Sequence, residues 1–223
     1  MTTKTLNPRP VKNKLSIPAV ETTPRKQYLT ADQLLRDSVA LGLGIATSGF
    51  RPDLVVGIWR GGSSVAIAVQ EVLEFVGIPC DHLPIRTSSY SNIDERSEVR
   101  VYGVDQLKRA VDASTSLLLV DDIFDTGLSI DRLIHELTLA CSTSLSCPRD
   151  IRVAAPYYKP LNNRTSRQPD FYLHTTADWL VFPHELIGLS NTEIMDTKPG
   201  LQDLASSLLQ LRAALQEQTA TRR

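Results

Sequence analysis

Apolar runs along the chain predict strands of a covered sheet. Leu54–Trp59 and Leu117–Val120 are continuous apolar runs, as expected for strands that are buried on both faces. Further strands are predicted at Leu83–Arg86 and Ile151–Ala155, and Asp170–Pro183 is predicted to be an extended segment forming a small cap or edge. The stretch after Arg86 is polar as far as residue 102 and is predicted to be a loop.

Helical patterns alternate with these strands. Thr30 begins a capping box with Gln33, and an apolar stripe follows it. The stripe comprises Leu34, Leu35, Val39 and Leu43. Further helices are predicted at Val65–Val76 and Ser129–Cys141, and an amphipathic helix at Pro199–Gln218 is expected to serve packing or an oligomer surface. Strands alternating with helices predict an α/β fold with a mostly parallel sheet and right-handed crossovers.

Composition limits the class of protein. The chain has 223 residues, enough for one well-cored domain, and a net charge of −1, which does not suggest a nucleic-acid binder. Cys80, Cys141 and Cys147 lack the C-x-x-C spacing of a zinc site and are expected to be reduced thiols. There is no secretory apolar region and no run near the ~20 apolar residues that span a bilayer. These features predict a soluble, cytoplasmic protein without a membrane partner.

The first 27 residues form a separate region in the sequence pattern. Four prolines interrupt it, and basic residues outnumber its single acidic residue, Glu21. Such a segment buries little apolar surface, so residues 1–27 are predicted to be a polar basic tail, either solvated or docked to a partner.

The segment Asp121–Ser129 carries the clearest chemistry. It lies where an apolar strand ends and a helix begins, the position at which open α/β sheets bind ligands. A helix N-terminus offers free N–H groups to an anion, and Gly127 permits close approach of the backbone. The hydroxyls of Thr126 and Ser129 add donors. The pattern predicts a phosphate site.

Acidic residues beside an anion site need an explanation. Asp121 and Asp122 are suited to accept hydrogen bonds from the vicinal hydroxyls of a sugar, so the phosphate is expected to belong to a sugar. Neighbouring strand residues point to opposite faces, so the two carboxylates are expected to have different roles. These roles are binding the diol of the sugar, lying near Mg²⁺ and supporting the residues that contact the ligand. The alternative is an acidic cluster that caps the following helix.

The sequence VDDIFDTGLS resembles the phosphoribosyl-pyrophosphate (PRPP) motif of the type I phosphoribosyltransferases. The resemblance implies that family's parallel sheet and its hood over the base, with the domain at 28–190, the hood at about 156–190 and a helical extension at 196–223. It implies that Asp121, Asp122 and the loop from Asp125 bind PRPP. That loop comprises Asp125, Thr126, Gly127, Leu128 and Ser129. Mg²⁺ is the implied cofactor, with Asp122 as a candidate ligand but PRPP holding most of it.

Two further segments resemble parts of the same family. Arg60-Gly61 resembles its pyrophosphate loop, in which a strained peptide between these two positions presents N–H groups to the anion. The polar stretch containing Ser89, Tyr90 and Arg96 resembles the loop that 6-oxopurine enzymes close over PRPP to exclude water. A plain Gly-rich turn and a solvated surface loop are the respective alternatives.

The resemblance also assigns a base site. Asp125 is expected to meet N7 of a purine and to act as catalytic proton acceptor, although a helix cap would need the same residue type. Lys159 is expected to donate to the 6-oxo group. Trp179 is expected to stack on the base and the Leu180 backbone to read its edge; the alternatives are an exposed lysine and a core tryptophan.

These features together predict an enzyme that transfers the phosphoribosyl group of PRPP to a 6-oxopurine in purine salvage. Family resemblance implies a homo-oligomer, either dimer or tetramer. One alternative is a PRPP-sensing regulator of the same fold that binds nucleic acid through its basic arm. Another is a phosphoribosyltransferase for a different or specialised base.

Overall fold

The computed structural model describes residues 25–92, 95–142 and 147–221, so most of the predicted N-terminal tail lies outside the described residues. The elements in chain order are β1 (Lys26–Tyr28), α1 (Ala31–Thr47), β2 (Leu54–Trp59), α2 (Gly61–Phe75), β3 (Asp81–Asn92), β4 (Glu95–Tyr102), α3 (Val104–Ala110), β5 (Ser116–Val120), β6 (Ile123–Phe124), α4 (Leu128–Cys141), β7 (Asp150–Ala154), β8 (Tyr157–Tyr158), β9 (His174–Thr175), β10 (Trp179–Val181), a π-helix (Glu193–Thr197) and α5 (Gln202–Thr221).

A five-stranded sheet forms the centre of the molecule. Its order is β4-β3-β2-β5-β7, and all neighbours are parallel except the β3–β4 pair. Alternate residues of β2 and β5 enter two different cores. Val55 and Leu118 pack with α1 and α2, whereas Val56 and Leu119 pack with α3 and α4. This burial on both faces confirms the predicted mostly parallel sheet flanked by helices.

The predicted face of α1 is wrong. Thr30 does cap the helix, since its Oγ1 accepts a hydrogen bond from the Gln33 N–H at 3.1 Å. However, Leu35, Val39 and Leu43 are exposed, and the buried side, which packs against α2, comprises Leu34, Ser38, Leu41, Gly42 and Ile45. Apolar residues occur on more than one side of this helix, so the periodicity alone did not identify the buried one.

The polar stretch after Arg86 is a hairpin, whereas the sequence pattern predicted a loop. Strand β3 continues to Asn92 and pairs antiparallel with β4, with Thr87 opposite Val101 and Ser89 opposite Val99. A polar sequence gives no apolar periodicity by which to recognise such a ribbon. The side chains of Ser89, Tyr90 and Arg96 lie outside the described residues, so their predicted contacts with PRPP remain predictions.

Two small sheets build the lobe at the edge of the domain. Strands β6, β8 and β9 form one, and β1 pairs parallel with β10 to form the other. Residues 26–27 were predicted to belong to the tail, but they lie in β1. Lys26 pairs with Trp179 of the hood strand, and Gln27 pairs with Leu180. The extension also packs here: Ala205 of α5 shares a small core with Val181.

Among the residues that the structure describes, none of the helices combines the length and the apolar character needed to cross a bilayer.

Candidate functional site

The predicted phosphate loop follows β5, where the parallel strands end. Gly127 has a φ of 76° and immediately precedes α4, which begins at Leu128. A Cβ at Gly127 would lie 2.7 Å from the Thr165 hydroxyl and 2.8 Å from the Phe124 ring, so this position needs glycine for both space and φ. The first turn of a helix has N–H groups without helical partners, and here the Leu128 N–H donates only a long hydrogen bond, to the Thr126 hydroxyl at 3.4 Å.

A cavity of about 80 Å³ adjoins this loop. Its lining comprises Asp121, Ile123, Phe124, Asp125, Thr126, Gly127, Ser129 and Ile130. The loop is therefore open to a small ligand on the side where the sequence predicts a phosphate. A second segment supports it from behind, because the Arg164 N–H donates to the Thr126 carbonyl at 3.0 Å.

The two acidic residues that follow β5, Asp121 and Asp122, both have raised pKa values. Burial, together with the charge of Asp122, raises the pKa of Asp121 well above its ordinary value. Burial and the nearby Glu185 carboxylate raise the pKa of Asp122 to about 6, although a hydrogen bond with Asp121 opposes the shift. The Asp122 side chain is only 13% exposed. Adjacent buried carboxylates favour a site that receives hydroxyl donors or a cation.

The Arg60-Gly61 segment contacts this acidic pair. A Cβ at Gly61 would lie 1.8 Å from Asp122 Oδ2, and one at Gly62 would lie 2.4 Å from the Val120 carbonyl oxygen. Only glycine therefore allows the start of α2 to approach the end of β5 this closely. Two details differ from the prediction. The cis peptide joins Trp59 to Arg60, one residue before the predicted position, and α2 begins at Gly61, where the pattern predicted a loop.

Replacing Gly61 by alanine is expected to lower affinity for PRPP by about tenfold or more, because the methyl group must displace the Asp122 carboxylate. The measurement is the KM for PRPP together with the melting temperature. Gly44→Ala is a suitable control, since nothing lies within 4 Å of a Cβ placed there. An unchanged KM in a folded Gly61→Ala variant would contradict this role for the contact.

The predicted acid–base and base-recognition residues meet beside the loop. Lys159 Nζ donates to Asp125 Oδ2 at 3.2 Å, and the lysine side chain is only 9% exposed. Asn162 Nδ2 donates to the other oxygen, Oδ1, at 2.8 Å. The Asp125 carboxylate is thus held from two sides. Lys159 is fixed in turn, because its N–H donates to the Phe124 carbonyl at 2.9 Å.

The hood strand carries the other two predicted base contacts. Leu180 is buried, whereas Trp179 is 60% exposed, which excludes a core role for the indole. The hood strand does not stand alone: β1 pairs along it, and the Trp179 N–H donates to the Arg25 carbonyl at 3.0 Å. The N-terminal strand therefore determines where the hood lies.

Four polar residues near the site were missed by sequence reasoning: Asn162, His184, Glu185 and Lys198. His184 Nε2 lies 3.7 Å from Asp122 Oδ2, and burial lowers the pKa of its imidazole. The sequence signal for Asn162 and His184 is weak, because each is a single polar residue in an irregular segment. Their proximity to Asp125 and Asp122 follows from the tertiary fold.

Comparison with known proteins identifies the class to which this fold and loop belong. Residues 25–186 match the family model described as the phosphoribosyl transferase domain. A purine phosphoribosyltransferase from Pyrococcus horikoshii is 26% identical, with a TM-score of 0.56, and the match covers 74% of this chain and 97% of that one. A search of curated proteins found no match.

Two further solved structures share the fold at lower identity. A hypothetical protein from Neisseria gonorrhoeae with bound ppGpp is 20% identical, with a TM-score of 0.59 and coverage of 75% of this chain and 93% of that one. The Helicobacter pylori xanthine-guanine-hypoxanthine phosphoribosyltransferase is 16% identical, with a TM-score of 0.53 and coverage of 72% and 92%.

The fold is an α/β domain in which the predicted phosphate loop lies between the interior strand β5 and helix α4. The chain belongs to the phosphoribosyl transferase domain family, in its type I class, which confirms the family predicted from VDDIFDTGLS.

Proposed function

We propose that this protein transfers the 5-phosphoribosyl group of PRPP to a 6-oxopurine, giving a purine nucleoside 5′-monophosphate and pyrophosphate. The observation that carries the proposal is the pairing of Lys159 with Asp125 at 3.2 Å, directly beside the phosphate loop. Family membership supports phosphoribosyl transfer, and this pair supports the choice of base. The similarity to a purine phosphoribosyltransferase at 26% identity agrees with it.

The base is selected by its hydrogen-bonding groups. An ammonium has three donors and no acceptor, so Lys159 can keep one hydrogen bond to Asp125 and offer another to a carbonyl. A 6-oxo group accepts that hydrogen bond, whereas the 6-amino group of adenine is itself a donor. Trp179 offers an exposed aromatic face for stacking on the purine.

The reaction breaks the bond between the ribose C1 and the pyrophosphate oxygen and forms a bond from a purine nitrogen to C1. Pyrophosphate leaves with the bonding electrons, and positive charge grows on the ribose. The carboxylates of Asp121 and Asp122 stabilise that charge electrostatically. Asp125 accepts or orients the proton that the purine loses. The loop from Asp125 to Ser129 holds the 5′-phosphate while Arg60 and Gly61 face the pyrophosphate.

The donor set fits Mg²⁺ that arrives with PRPP. The buried carboxylates of Asp121 and Asp122 favour a nearby cation, yet the described residues contain no cluster of three or more His, Cys, Asp or Glu side chains that would hold a metal by themselves. Asp122 is the candidate protein ligand, with most ligands coming from the substrate. When bound, the metal neutralises charge on the pyrophosphate.

Purine salvage in the cytoplasm is the setting that we propose, with a dimer or tetramer as the working form and no nucleic-acid partner. The spacing of Cys80, Cys141 and Cys147 predicts reduced thiols, the state that cysteines keep in a reducing compartment.

The proposal is tested by pyrophosphate release from PRPP and Mg²⁺ with hypoxanthine, guanine, xanthine, adenine, uracil and orotate. We expect turnover with at least one 6-oxopurine. Replacing Lys159 by methionine should lower kcat/KM for that base by about 10²-fold, since a hydrogen bond to a charged group is lost. Lys108→Met, on α3, is the matched control. Turnover of no base would refute the proposal, and an unchanged kcat/KM in Lys159→Met would show that Lys159 does not select the base.

A further inference from the structure

Lys198 is a buried cation that the proposed chemistry does not use. It lies beyond residue 186, where the match to the family ends, yet its side chain is fully buried. Lysine is almost never fully buried unless its ammonium is paired, because removing that charge from water is unfavourable. Burial accordingly lowers the pKa of Lys198, and the charge of Glu185 opposes that shift.

The ammonium of Lys198 is directed at the end of the hood strand. Its Nζ donates to the carbonyl of Phe182, the residue that follows β10. Glu185 Oε2 accepts a hydrogen bond from the N–H of the same residue at 2.9 Å. Two side chains of opposite charge thus hold both backbone polar groups of Phe182. Hydrogen bonds to charged groups are the stronger kind, so they fix the backbone at this point.

The segment that carries Lys198 is itself attached to the hood. The Lys198 N–H donates to the Glu193 carbonyl at 2.9 Å. The Glu193 carboxylate accepts from Lys26 Nζ at 2.5 Å and from the Tyr28 hydroxyl at 2.6 Å. Lys26 and Tyr28 belong to β1, which pairs along the hood strand. Residues 193–198 therefore contact the hood both through β1 and through the turn after β10.

We propose that Lys198 is a positioning residue that fixes the turn from Phe182 to Glu185 and thereby sets the position of the base-reading strand. Leu180 lies two residues before the carbonyl that Lys198 holds. His184, which lies 3.7 Å from Asp122, is part of the same turn. The C-terminal extension would then belong to the base site, although it follows the matched domain. This inference rests on the proposed function.

The test compares Lys198→Met, which keeps the length but loses the donors, with Lys198→Arg, which keeps donors and charge. We expect the KM for the purine to rise by about tenfold or more in Lys198→Met, with kcat at saturating base and the KM for PRPP changed less than threefold. Lys198→Arg should recover most of the affinity. Arg212→Met is the matched control, because it removes a side-chain hydrogen bond of the extension, to Asn191 Oδ1 at 2.7 Å, without touching β1 or Phe182.

Hydrogen exchange over residues 179–186 gives a readout that does not depend on catalysis. We expect faster exchange in this peptide for Lys198→Met but not for Arg212→Met. Unchanged exchange, or an unchanged KM for the purine in the folded variant, would overturn the proposal. If Lys198→Met does not fold, Lys198→Gln, which retains a donor, is measured in the same two ways. If the wild type uses no base, the proposed function fails, and the exchange result alone decides the role of Lys198.

Discussion

Replacing Asp125 by asparagine is expected to lower kcat for nucleotide formation by about 10²–10⁴-fold. Two donors hold the carboxylate in a fixed orientation beside the loop, because Lys159 contacts one oxygen at 3.2 Å and Asn162 the other at 2.8 Å. An amide has nearly the same shape but does not accept the proton. The KM for PRPP should change less, since the proposed phosphate contacts are made by main-chain N–H groups of the loop and not by this side chain.

The Asn162→Ala variant distinguishes the effect of losing the Asp125 carboxylate from the effect of losing its orientation. This variant keeps Asp125 but removes one of its two donors, so we expect an intermediate fall in kcat of about tenfold. Both variants are measured by pyrophosphate release at saturating PRPP and base, with circular dichroism to show that they fold. An Asp125→Asn enzyme within threefold of the wild type would exclude a proton-transfer role.

The local structure of the predicted phosphate loop could be read from the sequence because its information is local. A continuous apolar strand, three carboxylates, a Thr-Gly pair and a helix follow one another within about 25 residues, and each part dictates the next. The structure agrees in detail: β5 ends at Val120, Gly127 has positive φ and α4 begins at Leu128. Strand β2 was equally clear, because only burial on both faces explains its unbroken apolar sequence.

The contacts between distant segments were not predictable in the same way. Gly61 touches Asp122, and Lys26 reaches Glu193 across 167 positions of the chain. Neither pair has a local pattern, because a hydrogen bond between remote residues leaves no periodicity in the sequence. The same reason explains why no sequence pattern indicated that Lys198, in the predicted helical extension, is buried with its ammonium on the Phe182 carbonyl.

Two secondary-structure errors have a related origin. The hairpin of β3 and β4 is polar, so it looked like a loop, and α1 carries leucine on several sides, so the wrong stripe appeared to be buried. In both cases the decisive factor was which neighbour covers the element. That factor belongs to tertiary packing and is absent from a single-sequence pattern.

Replacing Asp122 by asparagine is expected to inactivate the enzyme while stabilising the free protein above pH 6. Burial and Glu185 raise the pKa of Asp122 from its ordinary 3.8 to about 6. The folded state therefore prefers the neutral acid, and the wild type loses stability as the pH rises from about 4 through 6. Asparagine is neutral throughout, so it avoids that loss, which amounts to about 2–3 kcal/mol at pH 8.

The melting temperature of Asp122→Asn should exceed that of the wild type by about 5 °C or more at pH 8, and the difference should vanish near pH 4. At pH 4 the Asp122 carboxyl of the folded wild type is protonated and therefore neutral, like the amide of the variant. Asp203→Asn, at an exposed position of α5, is the control and should shift little at either pH. If Asp122→Asn is no more stable than the wild type at pH 8, or is stabilised equally at pH 4 and pH 8, then the pKa of Asp122 is not raised by folding. The expected pairing of greater stability with lost turnover follows because the burial of the Asp122 carboxylate outweighs its hydrogen bonds in the free fold. Its negative charge becomes favourable beside Mg²⁺ and the positive charge that develops on the ribose.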